Sequence, residues 1–391
     1  MTDKVQLFSN DLEAIFLRRP NRFLIMAENE GKEILCHCPN PGRLSELLFP
    51  GTTLILEKHD GGTGWTAAAL KREEPLRTKN YGSGIVPLYA SRANKAAEAL
   101  ILSRIIPGLS DIRREYKAGG SRFDFLCTGS GGKRHLVEVK ACSLVEHGVA
   151  MFPDAPSLRA LKHLEELDRL SREGYECHVL FVIMHGRPRS FIPNLHTDPA
   201  FAKALCRYVA GGGVQAHTAL LRCGEDGWAT LVEKEIPLRL DPSLESLAAS
   251  GGGNYLIFLE IPEECAISVG SLGMITIKAG WYVYSGSARK NLYLRIARHQ
   301  RKMRKQKHWH LDYLTPRART IKSFPVLTSG NLECDLAADL HKLGGIGISG
   351  FGCSDCRCKS HLFFFPGPPL ENRDFSDMLF RYRHVEFLKN A

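Results

Sequence analysis

Asp124, Glu138 and Lys140 stand close together in the stretch 121–140, SRFDFLCTGSGGKRHLVEVK. Two carboxylates that converge in a cleft can hold Mg²⁺ or Mn²⁺, hard cations that prefer oxygen ligands and keep positions open for water and phosphate. Asp124 and Glu138 are therefore candidate metal ligands. A nearby ammonium, here Lys140, can orient an attacking water or offset charge on a phosphoryl group. Whether the three meet depends on local structure. Arg122–Thr128 has aromatic and β-branched residues around Asp124, a Gly/Ser-rich turn follows, and His135–Ala141 reads as the return strand of a hairpin. Alternate strand residues face the same way, so Glu138 and Lys140 share a face with Val139 behind it. A five-residue loop pairs Asp124 directly with Glu138, whereas a four-residue loop shifts the register by one and turns Asp124 away. The bland alternative is a salt-bridged strand pair. Against it, charges set on a sheet face over a core are costly unless paired or metal-bound.

The elements that must position these residues belong to a chain of 391 residues, long enough for two or three domains with separate cores. Net charge is +10, which favours polyanionic partners such as DNA or RNA. Apolar runs such as Val179–Met184 and Leu362–Phe365 are far too short to span a bilayer, so no membrane partner is expected. The start, MTDKVQLFSNDLEAIF, lacks a charged-then-apolar leader pattern. With no secretory pattern, the twelve cysteines are expected to be reduced thiols in a cytoplasmic protein.

Four short segments, Phe23–Glu28, Glu33–Cys38, Thr52–Lys58 and Trp65–Arg72, are separated by turn signals, which predicts a small OB-like barrel over residues 1–82. Such barrels bind single strands through basic, aromatic-bearing faces. Arg18, Arg19, Arg22 and the loop residues Asn40 and Arg43 are the candidate contacts; the alternatives are a solvated face for the arginines and a plain turn for the loop. Residues 83–240 follow as an α/β domain. Asn94 is placed to cap a helix running to about Arg104, on which Glu98 could supply a further acid, with Glu115 as another candidate. After the hairpin, a helix is expected from Leu158 to Arg172, and Arg159, Lys162 and His163 at i, i+3 and i+4 share a face as candidate nucleic-acid contacts. Cys177–Met184 reads as a buried strand.

The order helix, three strands, helix, strand is the common core of PD-(D/E)XK nucleases, and Asp124…Glu138-Val139-Lys140 resembles their motif. More specifically, FLRRPNRFL, HCPNPGRLSELLFPG, SRFDFL, VEVKACSL and MFPDAPSLRALKHLEEL make residues 1–240 similar to the sugar fermentation stimulation protein family, SfsA. Ala160, where the family tends to carry Gly, and Cys38 are minor departures. The resemblance implies an OB-like N-terminal part, a PD-(D/E)XK domain, DNA binding and metal-dependent nuclease activity on DNA or RNA, with catalytic roles on Asp124, Glu138 and Lys140. The family's link to sugar-use genes keeps a non-catalytic DNA-binding regulator as the alternative.

Residues 241–252, small, polar and Gly-rich, are expected to be a linker. Beyond them, residues 253–391 restart the pattern with strands at Tyr255–Ile261 and Gly280–Ser287, then a basic helix over Asn291–Lys305. From Arg289 to Arg319, eleven Lys or Arg face one acid, Asp312, so Arg298, His299, Arg301, Lys302, His308 and Trp309 are candidate contacts for a polyanion. Gly253-Asn254-Tyr255, Tyr284-Ser285-Gly286, Arg295, His299 and Glu333 resemble the GIY-YIG nuclease superfamily, and in particular an uncharacterised domain sometimes fused to endonuclease III. The resemblance implies catalytic roles for Tyr255, Tyr284, Arg295 and Glu333, with Glu333 holding a divalent ion; binding without cutting stands beside it. Cys353, Cys356, Cys358 and His361 place four soft ligands in nine residues, the residue types of a zinc knuckle. The other reading is a Gly-rich turn with reduced thiols, since Cys-x-Cys in so tight a loop makes tetrahedral closure awkward.

Overall fold

In β2 (Leu12–Asn21), β3 (Leu24–Asn29), β4 (Lys32–His37), β5 (Thr53–Lys58) and β6 (Trp65–Arg72), apolar residues alternate inward. These include Ala14 and Phe16, Ile25 and Ala27, and Leu54 and Leu56. The strand order is β4-β3-β2-β5-β6, and His37 pairs back to Thr66, so the five strands close into an OB-like barrel. A short β1 (Lys4–Gln6) precedes them. Four of the barrel strands coincide with the expected segments to within a residue. β2 was not expected, because Arg18, Arg19, Pro20 and Asn21 break its alternation and its pairing with β3 shifts register there. This computed structural model describes residues 3–72, 84–240, 251–303 and 306–389, so most of the expected linker lies outside the described residues. The chain divides into two compact units, Met1–Pro242 and Ser243–Ala391.

In the first unit, β7 (Gly84–Pro87) carries the barrel sheet on into a mixed sheet. A continuous helical run follows: α1 (Arg92–Ala96), a π-helical turn (Ala97–Ile101) and α2 (Leu102–Ile105). Next come β8 (Asp111–Ala118), β9 (Ser121–Thr128) and β10 (Arg134–Cys142), an antiparallel meander, and β11 (Leu144–Glu146) and β12 (Val149–Phe152). α3 (Leu158–Ser171) crosses over to β13 (Glu176–Ile183). After β14 (Ser190–Pro193), α4 (Pro199–Ala210) crosses over to β15 (Gln215–Cys223), and β16 (Trp228–Glu233) ends the unit. β10, β13 and β15 are parallel, as helical crossovers require. Val137, Val139, Leu180 and Val182 pack on the α1–α2 side, while Leu136, Val179 and Phe181 pack on α3 and α4 with Leu164, Leu167 and Phe201. By strand alternation, Glu138 and Lys140 then look towards α3.

The second unit holds β17 (Gly253–Ile261), β18 (Cys265–Ser268), β19 (Met274–Ile277), β20 (Gly280–Ala288), α5 (Leu292–Gln300), α6 (Leu311–Leu314) and β21 (Thr320–Val326). It continues with α7 (Glu333–Lys342), β22 (Ile346–Gly347), β23 (Leu362–Phe365) and α8 (Arg373–Lys389). An antiparallel sheet ordered β21-β17-β20-β23-β22 buries Leu256, Phe258 and Val283 against Leu336, Leu340 and Phe375 of α7 and α8. The basic helix stops at Gln300, short of the expected Lys305. Among the described residues no helix is long and apolar enough to cross a membrane.

Candidate metal centre and nucleic-acid surface

Five residues, 129–133, separate the paired Thr128 and Arg134, and the ladder continues to Val137 opposite Phe125. One step further, where Asp124 meets Glu138, the ladder opens. Glu115, between the paired Arg114 and Tyr116, adopts a left-handed conformation (φ 54) and its side chain pairs with Arg122. In place of backbone pairing, Asp124 Oδ2 accepts from the Val139 N–H at 2.7 Å, and Oδ1 accepts from Asn94 Nδ2 at 2.7 Å. Asn94 is therefore not a helix cap. The helical run begins two residues earlier, at Arg92, and Asn94 uses its amide to hold the aspartate.

Glu138 is 4% exposed. Its Oε1 accepts from Lys140 Nζ and from His163 Nδ1, both at 2.5 Å, while Oε2 is buried and has no hydrogen-bond partner among the described residues. Burial pushes the Asp124 carboxyl up from its ordinary pKa, and the charge of Glu138 adds to that against the Val139 and Asn94 hydrogen bonds. Burial pushes Glu138 up too, but the His163 hydrogen bond and the Lys140 charge outweigh it and hold Glu138 below the usual range. The centre thus offers a buried, uncommitted oxygen beside a second carboxylate, with imidazole and amide groups orienting both. An all-oxygen donor set of this kind fits Mg²⁺, Mn²⁺ or Ca²⁺ rather than a soft metal. Glu98, considered as a further acid, pairs instead with Arg114 at 2.8 Å.

In the second unit, Tyr255, Tyr284, Arg295 and Glu333 come together. The tyrosine rings lie 6.4 Å apart, and Tyr255 is hydrogen-bonded through its hydroxyl to His299 Nε2 at 3.1 Å. Gly286 is required here, since a Cβ would lie 2.5 Å from the Tyr255 hydroxyl. Burial pushes both tyrosines up, with the Arg295 charge opposing it and the Glu333 charge adding to it. Glu333 is engaged at both oxygens: the Ser287 hydroxyl donates to Oε2 at 2.5 Å, and His361 Nδ1 lies 2.9 Å from Oε1. Beside it Cys334, Cys356, Cys358 and His361 each place one ligand atom within 4.8 Å of the others. Cys353, included in the expected set, is outside this group. Chain spacing picks the nearest cysteine in sequence, whereas the fold brings Cys334 in from α7.

Residues 17–76 match the SfsA N-terminal OB domain, residues 91–226 the sugar fermentation stimulation protein RE domain, and residues 254–382 a domain of unknown function, DUF123. Over 232 residues the chain is 36% identical to a sugar fermentation stimulation protein homolog of Pyrobaculum neutrophilum, a match covering 59% of this chain and 94% of the relative. The chain belongs to the sugar fermentation stimulation protein family. A family member of Methanothermobacter thermautotrophicus is 38% identical over 54% of this chain and 87% of its own length. The solved structure of Pyrococcus furiosus SfsA in complex with Ca²⁺ matches with a TM-score of 0.52 and 27% identity, over 60% of this chain and 99% of that one.

The remaining basic residues, within and beyond the family segment, divide into exposed and committed groups. Arg122, Leu158, Arg159 and Lys162 line an open groove that reaches His163, whose Nδ1 is bonded to Glu138; Lys162 Nζ also donates to the Gly120 carbonyl. His163 itself is buried and turned to Glu138, not to solvent. The buried stripe Ala160, Leu164, Leu167, Leu170 contains its position, a sequence signal that sets it apart from Arg159 and Lys162. On the barrel, Arg22 is exposed and lies over Phe23, and Arg18 is paired with Glu33 at the surface. Arg19 is used internally, donating to the carbonyls of Gly42, Arg43, Arg22 and Asn40, and Asn40 is buried with its Oδ1 on the Gly42 N–H. Arg43 is exposed. In the second unit, Arg298 Nη1 donates to both carboxylate oxygens of the buried Asp312 and its guanidinium lies over Trp309, His299 is buried, and Lys302 donates to the Ala318 and Arg319 carbonyls. Arg301 and His308 are exposed.

Proposed function

We propose that the chain is a divalent-cation-dependent phosphodiesterase that cuts DNA or RNA at the Asp124–Glu138 centre. The observation that carries this reading is Glu138 Oε2, a buried carboxylate oxygen without a hydrogen-bond partner among the described residues, set beside a second carboxylate. Lys140 and His163 pair only with the other oxygen of Glu138, and a buried oxygen left unsatisfied costs about 1–3 kcal/mol, which a bound cation would remove. The Ca²⁺ complex of the Pyrococcus furiosus relative supports a hard cation in this family.

Asp124 and Glu138 would hold the cation, whose charge would polarise a phosphoryl oxygen and ease ionisation of water. The chain's own residues do the rest. Asn94 and the Val139 N–H fix the rotamer of Asp124, and His163 fixes that of Glu138. Lys140 spends one proton on Glu138 and keeps others for an attacking water or a non-bridging phosphate oxygen. Arg122, Arg159 and Lys162 line the groove that ends on His163 and would hold backbone phosphates in a salt-sensitive way.

The test is cleavage of labelled single- and double-stranded DNA and RNA by the purified chain, with Mn²⁺, Mg²⁺ or EDTA. Cutting should require the cation and vanish in the Asp124→Ala, Glu138→Ala double variant. Equal cutting by that variant removes this centre from the chemistry, and salt-sensitive binding without cutting leaves a DNA-binding regulator. The convergence of Tyr255, Tyr284, Arg295 and Glu333 favours a second reading, in which the C-terminal unit also cuts. Residual cleavage in the double variant that is lost on Tyr284→Phe would support it.

A further inference from the structure

We propose that Cys334, Cys356, Cys358 and His361 form a tetrahedral zinc site that ties the start of α7 to the loop before β23. Three thiols and one imidazole present ligand atoms within 4.8 Å of one another. A single zinc ion, about 2.3 Å from sulfur and about 2.0 Å from nitrogen, sets ligand separations of roughly 3.5–3.8 Å, so the group needs only a small contraction. One edge is already there: Cys356 Sγ lies 3.4 Å from His361 Nε2.

The histidine carries the second observation. His361 is 1% exposed, and its Nδ1 sits 2.9 Å from Glu333 Oε1. A proton on Nδ1 shared with the carboxylate leaves the Nε2 lone pair pointing into the thiols. This is the carboxylate–histidine arrangement that orients imidazole ligands of zinc. A disulfide does not account for the group, because it would take two sulfurs and leave the third thiol and the imidazole unused. Nor does a polynuclear iron–sulfur cluster, since the sulfurs are too near one another to span one. Soft thiolates with an imidazole at tetrahedral spacing select zinc among the common divalent ions.

The place of the site gives it a role. Cys356, Cys358 and His361 lie in a loop that is closed at its base by the Gly350 N–H on the Lys359 carbonyl and the His361 N–H on the Phe351 carbonyl. At Gly352 the loop runs against Tyr284, and the Gly352 N–H donates to His310 Nδ1. Zinc therefore clamps the segment that covers the tyrosine cluster, and it does so through Glu333, whose other oxygen takes the Ser287 hydroxyl. This inference is independent of cleavage at Asp124 and Glu138.

Metal analysis of the full-length chain purified without added metal tests it. One zinc per chain is expected. Cys334→Ser should lose it at least tenfold faster to a chelator, while Cys353→Ser should keep it. Cobalt substituted into the wild-type chain should show sulfur-to-cobalt charge transfer with tetrahedral ligand-field absorption, a readout that stands even where Cys334→Ser does not fold. The proposal is overturned by a zinc-free wild-type chain whose Cys334, Cys356 and Cys358 thiols react natively, by full retention in Cys334→Ser, or by loss in Cys353→Ser.

Discussion

Glu138 and Glu333 are both buried or half-buried carboxylates beside a histidine, yet they are spent differently. Glu138 gives one oxygen to Lys140 and His163 and keeps the other bare. Glu333 has both oxygens engaged, one with Ser287 and one with His361. A carboxylate with an uncommitted buried oxygen is poised for a cation, whereas one engaged at both ends braces its neighbours. On the two proposals above, the same residue type next to the same partner type would ligate a cation directly in the first unit and brace a ligating histidine in the second.

The largest effect expected from this contrast is on cleavage. Glu138→Gln keeps shape and the His163 contact but removes the charge, and should lower Mn²⁺-dependent cutting by ~10³-fold. Glu333→Gln should leave that cutting within about twofold. Cleavage lost equally in both would erase the distinction. Next in size are the supporting histidine and carboxylate. His163→Ala should weaken Mn²⁺ binding by roughly 10–100-fold, and Glu333→Gln should weaken zinc retention by a similar factor, with neither change affecting the other metal. Calorimetry for the first and chelator competition for the second would check this, and any cross-effect would count against two separate centres.

Acidification comes third. Asp124 is held above the usual carboxylate range and Glu138 below it, so Asp124 is the first to protonate as pH falls. A cation binds the ionised form and releases the proton. Affinity is therefore fully present above the raised Asp124 pKa and declines as pH drops through it, by at most about tenfold per pH unit for one proton. Mn²⁺ titrations across that window should show this slope, and Asp124→Asn should flatten it. The smallest effects are packing ones. Gly286→Ala places a methyl 2.5 Å from the Tyr255 hydroxyl and should cost about 1–3 kcal/mol in denaturant unfolding of the second unit. Gly42→Ala, which meets the Asp154 carboxylate, should do the same for the first. Neither should abolish Mn²⁺-dependent cutting.

The acidic centre was legible because its three charged residues lie in one hairpin, and loop length plus side-chain alternation fix their register. Its supports were harder to read. Asn94 looked like a cap because helix starts favour asparagine, and nothing local says that its amide reaches a strand. His163 was grouped with Arg159 and Lys162 by i, i+3, i+4 spacing, although the apolar stripe around it points inward. The barrel arginines show the limit of composition: Arg19 is spent on backbone carbonyls and Arg22 is exposed, and charge alone does not separate them. The thiol–imidazole cluster was half visible, since Cys356, Cys358 and His361 lie within six residues of one another but Cys334 arrives from α7. Tertiary assembly decides such cases.

Calorimetric titration of Ca²⁺ or Mn²⁺ into the wild-type chain and into Glu138→Gln tests the central assignment most directly. Binding of the cation to wild type, reduced beyond detection in Glu138→Gln while the fold is retained, is the predicted result. Undiminished binding in the variant would place the cation elsewhere and contradict the assignment of Glu138 as its ligand.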